Sequence, residues 1–142
     1  MILLDTNVVS EPMRHDSDPA VQAWLDRQTA ETLYLTTTSL SELLLGIEIL
    51  PNGRRKEGLS DALSELLARL FGSRILAFDT QAATAYAPLV GRARADGHAI
   101  SVADGQIAAI AAVHGFMVAT RDTSPFAAVG IPLINPSTEP AH

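Results

Sequence analysis

Four carboxylates stand at positions where a carboxylate needs a reason. Asp5 closes the apolar run Met1 to Leu4, Asp122 follows the run Phe116 to Thr120, and Glu42 and Asp104 lie inside stretches that are otherwise mostly apolar. A carboxylate taken out of water needs a cation or several donors to offset its lost hydration. Four of them in one place would repel one another unless something positive sat between them. Hard oxygen ligands at that density suit Mg²⁺ or Mn²⁺, and such an ion can activate water for hydrolysis.

Each acid also has a purely structural reading. Asp5 can cap a helix starting at Thr6, and Asp122 can form a turn ahead of Thr123, Ser124 and Pro125. Ser39 with Glu42, and Ser101 with Asp104, have the spacing of a capping box, although Glu or Gln is the usual partner in that motif. Around Glu42, at about 100° per residue, Leu40, Leu43, Leu44, Leu45, Ile47 and Ile49 cover most of the helix circumference. That pattern predicts a largely buried helix. From these segments alone both readings stand.

The elements that must position the acids follow from the pattern. Short apolar, β-rich runs at Met1 to Leu4, Leu33 to Thr36, Arg74 to Phe78, Phe116 to Thr120 and Ile131 to Ile134 predict five strands. Helical patterns at Ala20 to Gln28, Leu40 to Leu50, Arg54 to Phe71, Thr80 to Ala95 and Val102 to His114 separate them, with Pro51-Asn52-Gly53 breaking the second helix from the third. In the third, Leu59, Leu63, Leu66, Leu67 and Leu70 form a stripe that must face the sheet or a partner. Strands alternating with helices imply an α/β fold with a parallel sheet covered on both faces. In such sheets the functional crevice lies beyond the carboxyl ends of the strands, where Asp5 and Asp122 would fall.

Composition narrows the chemistry. The 142 residues suit one domain, expected over residues 1–136 with a loose tail at 137–142, and 47% apolar against 18% charged is the balance of a folded globular protein. With no cysteine, disulfides, zinc-thiolate sites, iron–sulfur clusters and thiol nucleophiles are excluded. The four histidines fall in expected loops, near a helix end or in the tail, and are given no role; no glycine pattern cradles a phosphate. The opening lacks a basic leader region and no apolar run is long enough to span a bilayer, so a cytoplasmic protein is expected. A net charge of −6 argues against passive binding of nucleic acid. Lys56 is the single lysine; Arg54, Arg55, Arg92, Arg94 and Arg121 are candidate contacts to a polyanion, against the plainer reading of solvated surface charge.

Together these residues resemble a known family. Met1-Ile-Leu-Leu-Asp5-Thr6-Asn7-Val8-Val9-Ser10-Glu11-Pro12 is similar to the opening of VapC-type PIN-domain toxins, especially the FitB-like branch. Ser41-Glu42-Leu43 with Gly46, then Ala103-Asp104-Gly105-Gln106-Ile107-Ala108-Ala109, then Val118-Ala119-Thr120-Arg121-Asp122-Thr123 resemble its remaining acidic motifs in order, and Leu133-Ile134-Asn135-Pro136 resembles its last strand. The resemblance spans nearly the whole chain. It implies a PIN-like three-layer sandwich with a five-stranded parallel sheet, and an Mg²⁺- or Mn²⁺-dependent endoribonuclease that is the toxin of a type II toxin-antitoxin pair. Asp5, Glu42 and Asp104 would surround the metal, with Asp122 a fourth ligand, direct or through water. Thr6, Asn7 and Thr120 would orient them. RNA would be the substrate, and a small antitoxin and a second copy of the chain the partners.

Two other readings begin from an acid after the first strand. An aspartyl-phosphate phosphatase uses it as a nucleophile, and a noncatalytic phosphoreceiver module shares the layered fold and an acidic pocket. The first expects a second Asp where this chain has Asn7, and both expect a supporting lysine late in the sheet, for which Lys56 is poorly placed.

Overall fold

A computed structural model describes residues 1–139. Five strands, β1 (Ile2–Leu4), β2 (Leu33–Thr36), β3 (Ile75–Leu76), β4 (Met117–Ala119) and β5 (Leu133–Ile134), form one sheet in the order β3-β2-β1-β4-β5, and every pairing is parallel. The strands start or stop one to two residues inside most of the expected runs, and Leu33–Thr36 coincides with its run. Seven α-helices accompany them: α1 (Thr6–Val9), α2 (Pro19–Asp26), α3 (Thr37–Glu48), α4 (Arg54–Leu70), α5 (Thr80–Ala95), α6 (Val102–His114) and α7 (Ser124–Ala128). The short α1 and α7 have too few residues to show a period; α1 is signalled only by its cap, Asp5, ahead of Thr6.

Side chains of β1 alternate between two cores, as the period of two requires. Leu4 packs with Val21, Trp24, Leu35, Leu63, Leu66 and Phe71 on one face, and Leu3 packs with Ile107, Ile110, Val118 and Phe126 on the other. The leucine stripe of α4 therefore faces the sheet through Leu63, Leu66 and Leu70. Three layers result, helix on sheet on helix.

The helix carrying Glu42 departs from expectation. Leu43 is buried, but Leu44, Leu45 and Ile49 are 52%, 60% and 74% exposed, so α3 is covered on one side only. The apolar circumference counted from sequence does not distinguish side chains packed in this chain from those left for another. The capping box that the spacing of Ser39 and Glu42 allows is not formed. Thr36, the last residue of β2, accepts from the backbone N of Ser39 at 3.0 Å, which moves the helix start to Thr37 and puts Ser39 inside it. The Ser39 hydroxyl is buried without a hydrogen-bond partner.

At the C-terminal end, the expected tail begins at Ser137, whose hydroxyl donates to Asp18 Oδ2 at 2.9 Å and accepts from Arg121 Nε at 3.0 Å. Residues 140–142 lie outside the described residues.

Candidate metal centre

Parallel pairing of β1 with β4 puts their carboxyl ends side by side, with Leu4 opposite Ala119. The next residue on each strand, Asp5 and Thr120, is buried there, and the Asp5 backbone N donates to Ala119 O at 2.9 Å. Asp5 Oδ1 accepts from the backbone N of Thr6 at 2.8 Å, which makes it the cap of α1. Its Oδ2 accepts from the Thr120 hydroxyl at 2.8 Å and from Asn7 Nδ2 at 3.4 Å. None of these partners is a cation. Burial is the main reason that the Asp5 carboxyl is pushed up to about 6; donors from Thr120 and Thr6 pull it down, and the charges of Asp104 and Glu42 push it up again.

Glu42 reaches this floor from α3. Its Oε1 accepts from the Thr6 hydroxyl at 2.8 Å, and the side chain is otherwise exposed. Asp104 reaches it from α6, where Ser101 accepts from the Asp104 backbone N at 3.1 Å. Half of the expected capping box is thus present, formed through the backbone of Asp104, while its carboxylate acts on Asp5. Helices α1, α3 and α6 all begin at this edge of the sheet, so their positive N-terminal ends favour negative charge here. Asp122 is exposed at the rim; its backbone N donates to the Thr120 hydroxyl at 3.0 Å.

A buried carboxylate with no cation among its bonding partners, and two further acids near enough to raise its pKa, form an all-oxygen set that fits a hard divalent ion. As placed, among the described residues no three His, Asp or Glu side chains have closed to the distances that would hold an ion. The acids are assembled on separate elements rather than already clasped.

Two contacts of the site have no local signature in the sequence. The Thr38 hydroxyl donates to Gln106 Oε1 at 2.9 Å and ties α3 to α6 beside Glu42 and Asp104. A Cβ on Gly105 would meet Tyr86 Cε2 at 2.6 Å and Val90 Cγ2 at 2.8 Å, so glycine lets α6 lie close to α5 next to Asp104. Both pairings join distant segments, which a local pattern does not register.

The arginines divide. Arg55 lies on a groove of about 660 Å³ that runs from Thr6 and Glu42 past Leu43 and Ile47 to Leu59, with Arg14 and His15 on its wall. Arg54 is exposed beside it, at the start of α4. Arg92 is exposed on the last turn of α5, and Arg94 donates to Ile100 O at 3.5 Å near the start of α6. Arg121 is paired within the chain: Nη1 lies 2.7 Å from buried Glu11 and Nη2 3.6 Å from Asp18, with the side chain 34% exposed. Lys56 donates to Glu48 O at the end of α3 and to Asn52 Oδ1 in the loop that follows, so it does not supply the lysine that the phosphatase and phosphoreceiver readings need.

The model of the PIN domain family matches residues 2–132. The chain is 50% identical over 142 residues to the VapC ribonuclease Y4jK of Sinorhizobium fredii, covering 99% of this chain and 100% of the relative. It is 45% identical over 136 residues to Toxin FitB of Neisseria gonorrhoeae, covering 96% and 98% of the two chains. The crystal structure of FitAcB from Neisseria gonorrhoeae superposes with a TM-score of 0.92 at 44% identity, over 98% of this chain and 100% of that one.

Proposed function

The chain belongs to the PIN-domain family, and from that premise we propose that it is a metal-dependent endoribonuclease acting as the toxin of a toxin-antitoxin pair. The observation that carries this reading is Asp5: buried, pushed up to about 6, bonded to no cation and influenced by Asp104 and Glu42. Asp5, Glu42 and Asp104 would hold Mg²⁺ or Mn²⁺, with Asp122 a fourth ligand, direct or through water. An ion bound there supplies a water of lowered pKa and positive charge against the phosphodiester.

The chain's own residues do the rest. Thr120 and Asn7 fix Asp5 Oδ2, and Thr6 fixes both Asp5 Oδ1, through its backbone, and Glu42, through its hydroxyl. Four donors thus hold two carboxylates in orientation before any ligand arrives. Arg55, and with it Arg54, would hold the RNA backbone along the groove that leads to Glu42; Arg92 and Arg94 would do so near the start of α6. In-line attack would leave a 5′-phosphate and a 3′-hydroxyl.

The names of the relatives support the biological setting, one being called a VapC ribonuclease and another a toxin. A protein antitoxin and a second copy of the chain are the partners this reading implies. The exposed apolar side of α3, at Leu44, Leu45 and Ile49, is surface that a protein partner would cover. No helix among the described residues is long and apolar enough to cross a membrane.

Cleavage of a panel of structured RNAs by the purified protein, with Mg²⁺, Mn²⁺ or chelator, tests the reading. Metal-dependent cleavage that Asp5→Asn removes is the expected result. Cleavage that persists in chelator, or in the folded Asp5→Asn variant, would overturn it.

A further inference from the structure

Glu11 is 2% exposed, in the turn that follows α1, and the reaction described above does not use it. Its two oxygens are both engaged: Oε1 accepts from the backbone N of Asp18 at 2.6 Å and Oε2 from Arg121 Nη1 at 2.7 Å. Arg121 Nε donates to the Ser137 hydroxyl, which donates in turn to Asp18. One guanidinium therefore joins Glu11 and Asp18 near the start of the chain to Ser137 near its end. Such a partner offsets much of the cost of burying the carboxylate, and removing one member of a buried pair leaves the other uncompensated.

The position of Arg121 gives the pair a reach beyond its own contacts. Arg121 lies between Thr120 and Asp122, and its backbone N donates to Asn7 Oδ1 at 3.1 Å. That bond orients the Asn7 carboxamide, leaving Nδ2 to donate to Asp5 Oδ2 at 3.4 Å and to Thr120 Oγ1 at 3.3 Å. The Thr120 hydroxyl is itself bonded to Asp5 and receives the Asp122 backbone N. The path runs from Glu11 to Arg121, through a backbone N–H to Asn7, and from there to Asp5.

We infer that Glu11 and Arg121 are positioning residues of the metal centre: their ion pair holds the segment Thr120–Asp122 so that Asn7 presents its amide to Asp5. The inference rests on the metal-site reading for its effect on activity, but its geometric content does not. Residues that orient a ligating group typically change metal affinity or activity by about 10- to 100-fold when altered.

The test uses the full chain with Glu11→Gln and, as a milder change that keeps the positive charge, Arg121→Lys, each measured below the temperature at which circular dichroism shows unfolding. Three quantities are read: hydrogen exchange of the Asn7 side-chain amide in metal-free protein by NMR, Mn²⁺ affinity by electron paramagnetic resonance, and kcat and KM on a cleaved RNA. The expected result is faster Asn7 exchange, Mn²⁺ Kd raised about 10- to 100-fold, and a fall in kcat with KM little changed, Arg121→Lys lying between wild type and Glu11→Gln. If Glu11→Gln does not fold, Arg121→Lys decides alone. Lower thermal stability with wild-type Asn7 exchange and Mn²⁺ affinity would overturn the inference, reducing the pair to a tether. A raised KM with unchanged Mn²⁺ affinity would overturn it too, by placing Arg121 on the RNA. Should the wild type bind no Mn²⁺, the metal-site reading fails separately, and Asn7 exchange still decides whether the pair positions Asn7.

Discussion

The floor of the site, around Asp5, and its rim, around Glu42 on α3, hold the same kind of side chain in opposite ways. Asp5 is 5% exposed and fixed by three neighbouring groups, two of them uncharged side chains. Glu42 is exposed and held by one hydroxyl, on a helix whose outer side chains Leu44 and Leu45 are left exposed by the described residues. The floor therefore stores unfavourable charge at a point set by strand pairing, whereas the rim contributes charge from a helix placed by packing. Substitutions at the floor should change both activity and stability, and substitutions at the rim mainly activity.

Asp5→Asn is the sharpest way to break this comparison and has the largest expected effect. It removes the carboxylate proposed to bind the metal but keeps a capping oxygen, since Asn caps helices as well as Asp. Cleavage should vanish while the metal-free protein gains stability at neutral pH. The sign follows from the raised pKa: between the unfolded value near 3.8 and the folded value of about 6 the native state holds the extra proton. Wild-type stability from this group is thus present at low pH and lost as pH rises through that window. A shift of that size corresponds to about 3 kcal/mol at most. Urea melts of both proteins at pH 4 and pH 7, in chelator, check it; an Asp5→Asn variant less stable than wild type at pH 7 would mean that the floor is not stressed.

Metal should reverse the stress. At Mn²⁺ near 100 times Kd the native state gains about 2.7 kcal/mol, a rise of several degrees in Tm for a domain of this size. Acidification through about 6 should weaken the response, because Asp5 must lose its proton to bind. Glu42→Gln and Asp104→Asn should each abolish cleavage and shrink the Mn²⁺-induced shift, with less gain in metal-free stability than Asp5→Asn. Melting curves with and without Mn²⁺ distinguish the residues: an unchanged shift in Glu42→Gln would remove it from the metal site.

Gly105→Ala is expected to cost about 1 to 3 kcal/mol by overpacking, since the added methyl meets Tyr86 and Val90. Calorimetry measures it, and the variant should lose cleavage beyond its stability loss if the α5–α6 approach sets Asp104. Asp122→Asn should have the smallest effect on cleavage, because Asp122 is exposed, its backbone is held by Thr120, and an amide oxygen can still ligate or hold a water. Loss equal to that of Asp5→Asn in the same assay would move Asp122 into the charged floor.

Much of this was legible in the residue order alone. Apolar runs of strand length, separated by amphipathic stretches, imply a parallel three-layer fold, and a parallel fold puts Asp5 and Thr120 at one edge because strands side by side end together. Glu42 and Asp104 were conspicuous because acids in apolar helices need a reason. Tertiary structure decided the rest. Thr36 rather than Ser39 caps α3, because the preceding strand ends where its hydroxyl can accept the N–H of Ser39, three residues on. The outer leucines of α3 are exposed, because periodicity counts apolar positions and not the surfaces available to cover them. Arg121 pairs with Glu11, some 110 positions earlier, while its side chain stays 34% exposed. A pairing that distant leaves no trace in local composition; it exists only once β1 and β4 have been laid side by side.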